Sequence, residues 1–122
     1  MQYTGGKGFF DQQPAPTALA ASATLTIAQL LTGIVIPSGT VAIILTLPTG
    51  TLTDAGIAGP ALPINGSFDW AVINTGTSSG AVTVAAGTAH TLVGSAAVAI
   101  GTSAGFRTRK TAGNTFVTYR VR

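Results

Sequence analysis

The chain has no cysteine, no glutamate, one histidine and three aspartates in 122 residues, and charged residues make up 7% of it. Each shortage excludes something. Without cysteine there is no disulfide framework and no thiolate nucleophile. His90 has no second histidine and no carboxylate near it in sequence, so neither a zinc site nor a histidine-activated nucleophile has its parts, and it reads as a turn or packing residue. Asp11, Asp54 and Asp69 stand in three unrelated contexts, which removes a carboxylate pair and an Asp-rich calcium loop. No catalytic residue, cofactor or metal is expected, and the chain reads as a non-enzyme. Long hydrophobic runs are missing too: despite a mean hydropathy of +0.50, no stretch reaches the ~18 apolar residues of a membrane-spanning helix. The first residues carry neither the basic start nor the continuous apolar run of a secretory signal, so folding in a cytoplasm is expected.

What fills the chain is Thr, Ala, Gly and β-branched apolar residues. Soluble domains carry about a quarter of their residues as charged types, so 7% leaves an isolated monomer little colloidal protection and points to an oligomer or an assembly component. The length suits one domain with one core. Aromatics are few, so Val, Ile, Leu and Ala must supply most of the buried area.

Residues 1–23 read as an extended N-terminal arm, because Gly5-Gly6, Gly8, Pro14 and Pro16 oppose regular structure and the Ala-rich stretch after them has no clear period. Tyr3, Phe9 and Phe10 are costly to leave in water and are candidate anchors of that arm on a neighbouring subunit. Residues 24–122 read as the domain. Thr26-Ile27-Ala28-Gln29 has the spacing of a capping box and predicts one or two helical turns ending at Gly33. A second short helix is expected over Thr51–Ala58, stopped by Gly59-Pro60.

The rest is β cadence. Strands are expected at Ile34–Ile36 and Val41–Leu47, separated by Pro37-Ser38-Gly39 as a hairpin or corner, and at Phe68–Asn74, Ala81–Ala85, Thr91–Val93, Ala97–Ile100, Ala104–Arg109 and Phe116–Val121. Gly-Thr recurs at Gly39, Gly50, Gly76, Gly87 and Gly101, near the ~8–12-residue rhythm of sandwiches and barrels. The expectation is an all-β fold, a small β-sandwich of jelly-roll type or a small barrel, with the two helices as connectors. Gly76–Gly80 resembles a phosphate cradle but lacks the following Gly-Lys-Ser/Thr, and reads as a hairpin loop. Asn65-Gly66 is a type I′ turn signal.

Positive charge collects at the end of the chain. Arg107 and Arg109 share one strand face, Arg120 and Arg122 another, and Lys110 to Asn114 supplies the turn between them. Paired as a hairpin, these strands would gather five of the six positive charges into one patch. The patch is either a solvated strand face, as charge runs usually are, or a contact to an acidic protein surface, for which Arg107, Arg109 and Arg120 are the candidates. Nucleic acid is disfavoured, since the patch lacks interleaved aromatics for stacking. Asp69 sits in an otherwise apolar strand, either as an exposed or salt-bridged residue or as a partner for an arginine across an interface.

Several phrases together resemble small virion proteins of tailed bacteriophages, in particular capsid decoration or cement proteins: Thr26–Gly33, Leu47-Pro48-Thr49, Asn65–Asn74, His90–Gly94 and Phe106–Arg109. The resemblance covers about residues 24–122 and rests on strand and turn phrases, not on a catalytic signature. It implies a β-sandwich or β-tulip-like domain, often a homotrimer, bound to the outside of a shell built by the major capsid protein. It would place the chain on the virion surface after synthesis in the host cytoplasm. The other classes left open are a different virion part (tail, head-fibre or minor shell protein) and a small carbohydrate-binding β module.

Overall fold

The computed structural model describes residues 2–4, 9–57 and 62–122, with side chains described for 12–57 and 62–122. Strands dominate and the two helices are short, so the domain is all-β. An N-terminal ribbon pairs β1 (Gln2–Thr4) with β2 (Phe9–Asp11). Then follow β3 (Thr17–Leu19), β4 (Ala23–Thr24), α1 (Ile27–Leu30), β5 (Ile34–Pro37), β6 (Ile43–Thr46), α2 (Gly50–Gly56), β7 (Ser67–Ile73), β8 (Val82–Ala85), β9 (His90–Val93), β10 (Ala97–Val98), β11 (Ser103–Ala112) and β12 (Thr115–Arg120).

From β3 onward the chain alternates between two sheets. The odd-numbered strands and β12 form a six-stranded sheet in the order β3-β5-β7-β11-β12-β9, and the even-numbered strands form a four-stranded sheet in the order β10-β8-β6-β4. Parallel neighbours need a crossover, and here each crossover is a strand of the opposite sheet. Three coils result, β3-β4-α1, β5-β6-α2 and β7-β8, each stepping one place along both sheets, so β3/β5, β5/β7, β4/β6 and β6/β8 are all parallel. The winding then closes with antiparallel pairs, β10 on β8 and β11 between β7 and β12, and with β9 laid parallel along β12. Pro37-Ser38-Gly39 is thus a corner between sheets. So is Gly76–Gly80, which corrects its reading as a hairpin loop: β7 and β8 lie in different sheets. Buried Asn74 organises that corner, donating from Nδ2 to the carbonyls of Gly80 (2.9 Å) and Val98 (3.0 Å) and accepting from the Gly76 N–H (2.8 Å).

The core lies between the sheets. Alternate residues of β6 and β8 (Ile43, Leu45, Val82, Val84) and of β5, β7 and β11 (Val35, Trp70, Val72, Ala104, Phe106) belong to one buried cluster. Trp70 and Phe106 stack with ring centroids 4.7 Å apart. Leu25, Ile27, Leu30 and Leu47 extend the cluster toward the helices. α1 has the expected capping box: Gln29 N–H donates to Thr26 Oγ1 (3.1 Å) and Thr26 N–H to Gln29 Oε1 (2.9 Å). α2 is capped by Thr49, whose Oγ1 accepts from Leu52 N–H (3.2 Å), and Asp54 is left for another task. The stop signal Gly59-Pro60 lies outside the described residues.

Two local expectations differ. Residues 17–19 and 23, read as part of the arm, belong to edge strands of the two sheets, β3 and β4; Leu19 packs on the core and holds the first coil in place. Asn65 has φ 71°, but the turn is closed by Gly66 N–H on the Pro63 carbonyl (2.8 Å), so its central residues are Ile64 and Asn65; Ile64 has no positive φ, and the turn is therefore not type I′, which needs positive φ at both.

Candidate functional site

The hairpin of β11 and β12 sets the arginines. Its register pairs Phe106 with Arg120, Arg107 with Tyr119 and Thr108 with Thr118, while on the other side β7 puts Asp69 opposite Arg107. Directly opposed residues share a face. Phe106, Thr108 and Lys110 therefore point into the core, and Arg107 and Arg109 stand on the outer face of the six-stranded sheet.

On that face Arg107 grips Asp69 with two parallel bonds, Nε to Oδ1 at 2.7 Å and Nη2 to Oδ2 at 3.2 Å. The guanidinium bond holds the Asp69 carboxyl below its ordinary value, and Asp69 in turn raises Arg107. The pair is about half exposed, so solvent screens it and it adds little to stability. Of the two readings of Asp69, the salt bridge within the chain is the one observed. Arg109 lies over the Tyr119 ring, 5.7 Å from its centroid, donating to Tyr119 Oη from Nε (3.0 Å) and Nη2 (2.8 Å) and to Asn65 Oδ1 from Nη1 (2.8 Å). The Arg122 guanidinium lies against Gly105, where a Cβ would leave it no room. Ile34, Ala71, Ile73 and Gly105 floor a shallow hollow of about 240 Å³ beside it. Small residues at Ala71 and Gly105, opposite each other in register, make the hollow.

The five terminal positive charges do not share one patch. Arg120, in register with Phe106, turns toward the β9–β10 loop, where Nη1 donates to the carbonyls of Ser95 (3.3 Å) and Ala97 and Nε donates to the Arg122 carbonyl (3.0 Å). Lys110 is buried and bonds Asp54 Oδ1 (3.0 Å) and the Leu62 carbonyl (2.9 Å). Asp54 Oδ2 accepts from Asn114 N–H (2.9 Å), and this bond, with Lys110, keeps its carboxyl below the ordinary 3.8. These two cations clamp the chain to itself. The outer face keeps Arg107, Arg109 and Arg122 against a single carboxylate, Asp69. Tyr119 and Asn65 are members that sequence reasoning did not single out, and Arg122, read as sharing a face with Arg120, lies on the outer face instead; for Tyr119 the alternation of β12, with Phe116 and Thr118 on the face of Arg120, was the available signal.

Tyr3, Phe9 and Phe10 lie in the β1–β2 ribbon, where Tyr3 is in register with Phe10; their side chains lie outside the described residues. His90 is fully buried, with Nδ1 2.9 Å from the Pro48 carbonyl and Nε2 2.7 Å from Thr118 Oγ1. Burial lowers its pKa from 6.5. Among the described residues no group of three or more His, Cys, Asp or Glu is placed to hold a metal ion, and no helix is long and apolar enough to cross a membrane. An apolar groove of about 400 Å³ opens between α1 and α2, lined by Leu25, Ile27, Pro48, Leu52 and Ala55. Compared with known proteins, the chain matches no family model, and neither a curated protein nor a solved structure shows significant similarity to it.

Proposed function

We propose that this chain is a virion structural protein, a capsid decoration or cement protein that binds the outside of a phage head and bridges major capsid subunits, as the resemblance of its strand and turn phrases implies. The observation that carries the reading is how the reactive groups are used. His90, Asp54 and Lys110 are spent on internal bonds, and Asp69 on Arg107, while the outer face of the six-stranded sheet presents Ile34, Ile73, Ala71 and Gly105 framed by Arg107, Arg109 and Arg122. Such a face offers shape, apolar area and a few cationic anchors, which are what a protein interface uses. The capsid partner would meet it with acidic residues. Sparse surface charge suits packing between copies, and a homotrimer is the assembly proposed.

For the architecture we infer a two-layer β-sandwich nearer the β-tulip than the jelly roll, because jelly rolls are antiparallel and five of the pairings here are parallel. The sugar-binding alternative is disfavoured, since Trp70 is 2% exposed and offers no platform. Another virion part, such as a tail or head-fibre protein, is the second reading; parallel coils ending in open edges at β3 and β9 suit end-to-end stacking. The test compares particles with the protein, without it, and with it lacking residues 1–16. Reinforcement predicts that complete shells withstand heat and osmotic shock best; equal resistance in all three refutes it.

A further inference from the structure

Four buried side chains form a single file of hydrogen bonds across the interior. Trp70 Nε1 lies 3.0 Å from Thr108 Oγ1, Thr108 Oγ1 2.8 Å from Thr118 Oγ1, Thr118 Oγ1 2.7 Å from His90 Nε2, and His90 Nδ1 2.9 Å from the Pro48 carbonyl. None of the four is more than 2% exposed. The two ends fix the direction of every link, because an indole N–H only donates and a carbonyl only accepts. His90 must carry its proton on Nδ1. Thr118 then donates to Nε2, Thr108 donates to Thr118, and Trp70 donates to Thr108. Each hydrogen is used once, and no buried side-chain polar atom is left over among the described residues.

We propose that His90 is an acid-operated latch, whose protonation at Nε2 breaks this file at Thr118 and releases edge strand β9 from the interior. With a hydrogen on Nε2, Thr118 must turn its own hydrogen to Thr108 Oγ1, which already accepts from Trp70. The Thr108 hydrogen then meets no acceptor, and a buried donor without a partner costs its full desolvation. A charged ring is added to the same dry space. Among the described residues no neighbouring element supplies a carboxylate to offset it. From α2 comes Asp54, bonded to Lys110 of β11 and to Asn114 N–H; Asp69 of β7, Arg107 and Arg109 of β11 and Tyr119 of β12 stand on the outer face; Arg120 of β12 is held by the β9–β10 loop. Burial accordingly lowers the His90 pKa.

β9 is the element to yield, since it is four residues long, at the sheet edge and, among the described strands, paired only with β12, with one further bridge from His90 to Gly87 in its own turn. Local opening concentrates in such segments. The inference rests on the fold and not on the capsid reading. The composition also isolates its signal: His90 is the sole histidine and the chain has no glutamate or cysteine, so no other side chain has an ordinary pKa between about 5 and 8.

With the folded pKa depressed, the opened state binds more protons below pH 6.5, so protection is full above that value and is lost as pH falls toward the folded pKa. The experiment is NMR of the full chain between pH 7.5 and 5. Expected are an Nδ1–H tautomer at pH 7.5, ring titration below 6.5, and amide-exchange protection of β9 that drops about tenfold per pH unit until the ring titrates, while β7 amides hold. His90→Gln should flatten this pH dependence whatever its absolute stability. An Nε2–H tautomer, a ring titrating at or above 6.5, constant β9 protection, equal loss in β7, or an unchanged slope in His90→Gln would each overturn the latch.

Discussion

Replacing Gly50 by Ala tests how closely α2 is seated on the two turns beneath it. A Cβ there would collide with the Asn114 carbonyl oxygen and lie 2.6 Å from that of Ala89, both of them backbone atoms that cannot swing away. Relief requires the first turn of α2 to retreat, loosening the Gly50 N–H to Thr88 carbonyl bond (2.8 Å) and the Asp54 contact with Asn114. Overpacking costs about 1–3 kcal/mol and a lost hydrogen bond about 1 kcal/mol, against about 1 kcal/mol gained by Ala over Gly in a helix. The net expectation is a loss of about 1–3 kcal/mol. With an unfolding entropy of about 2.1 cal/mol/K per residue over 122 residues, 1 kcal/mol shifts Tm by about 4 °C, so Tm should fall by about 4–12 °C. Circular dichroism melts measure it. Helix propensity alone predicts a rise of about 4 °C, so an unchanged or raised Tm would refute the close seating. Gly113→Ala is the control, because nothing lies within 4 Å of a Cβ there; its Tm should stay within about 2 °C.

Thr26→Ala removes one half of the capping box and should cost about 1 kcal/mol in the same melts. Asn74→Ala strips three buried bonds from the corner between β7 and β8 and should cost about 2–4 kcal/mol by urea unfolding, with little change in m. Asp54 and Asp69 have depressed pKa values, so each contributes stability above its ordinary value of 3.8 and loses it as pH falls through the folded value. A melt series should show an acid limb below pH 3.8, reduced by Asp54→Asn more than by Asp69→Asn, because the Asp69 pair is exposed. Arg109→Ala should leave stability within about 1 kcal/mol yet weaken binding to capsid shells in co-sedimentation.

Local signals carried the parts of the fold that are made locally. The Thr26 to Gln29 spacing gave α1 and its cap, the β-branched runs gave the long strands, and Lys110 to Asn114 gave the β11–β12 turn. What was hidden is the alternation of consecutive strands between sheets. A run such as Ile43–Thr46 declares itself a strand, but its neighbours β4 and β8 come from about twenty and forty positions away, and nothing in a short window records that pairing. The same gap made Gly76–Gly80 look like a hairpin, since Gly and Ser suit either kind of turn. β3 left no period because three residues with one core-facing Leu are too few to show one. For the candidate site, Arg107 and Arg109 were legible from strand alternation, whereas the diversion of Arg120 to the Ser95 and Ala97 carbonyls depends on a loop that only the folded chain brings near. Of the turn and packing readings of His90, burial bears out packing; its bonded file needed four strands in register.

An image reconstruction of the particles that carry this chain tests the assembly role most directly. The proposal predicts density for it on the outer surface of the head, across seams between capsid subunits, with the Arg107 and Arg109 face against acidic residues of the shell. Density confined to the tail, or a head surface without it, would contradict that role.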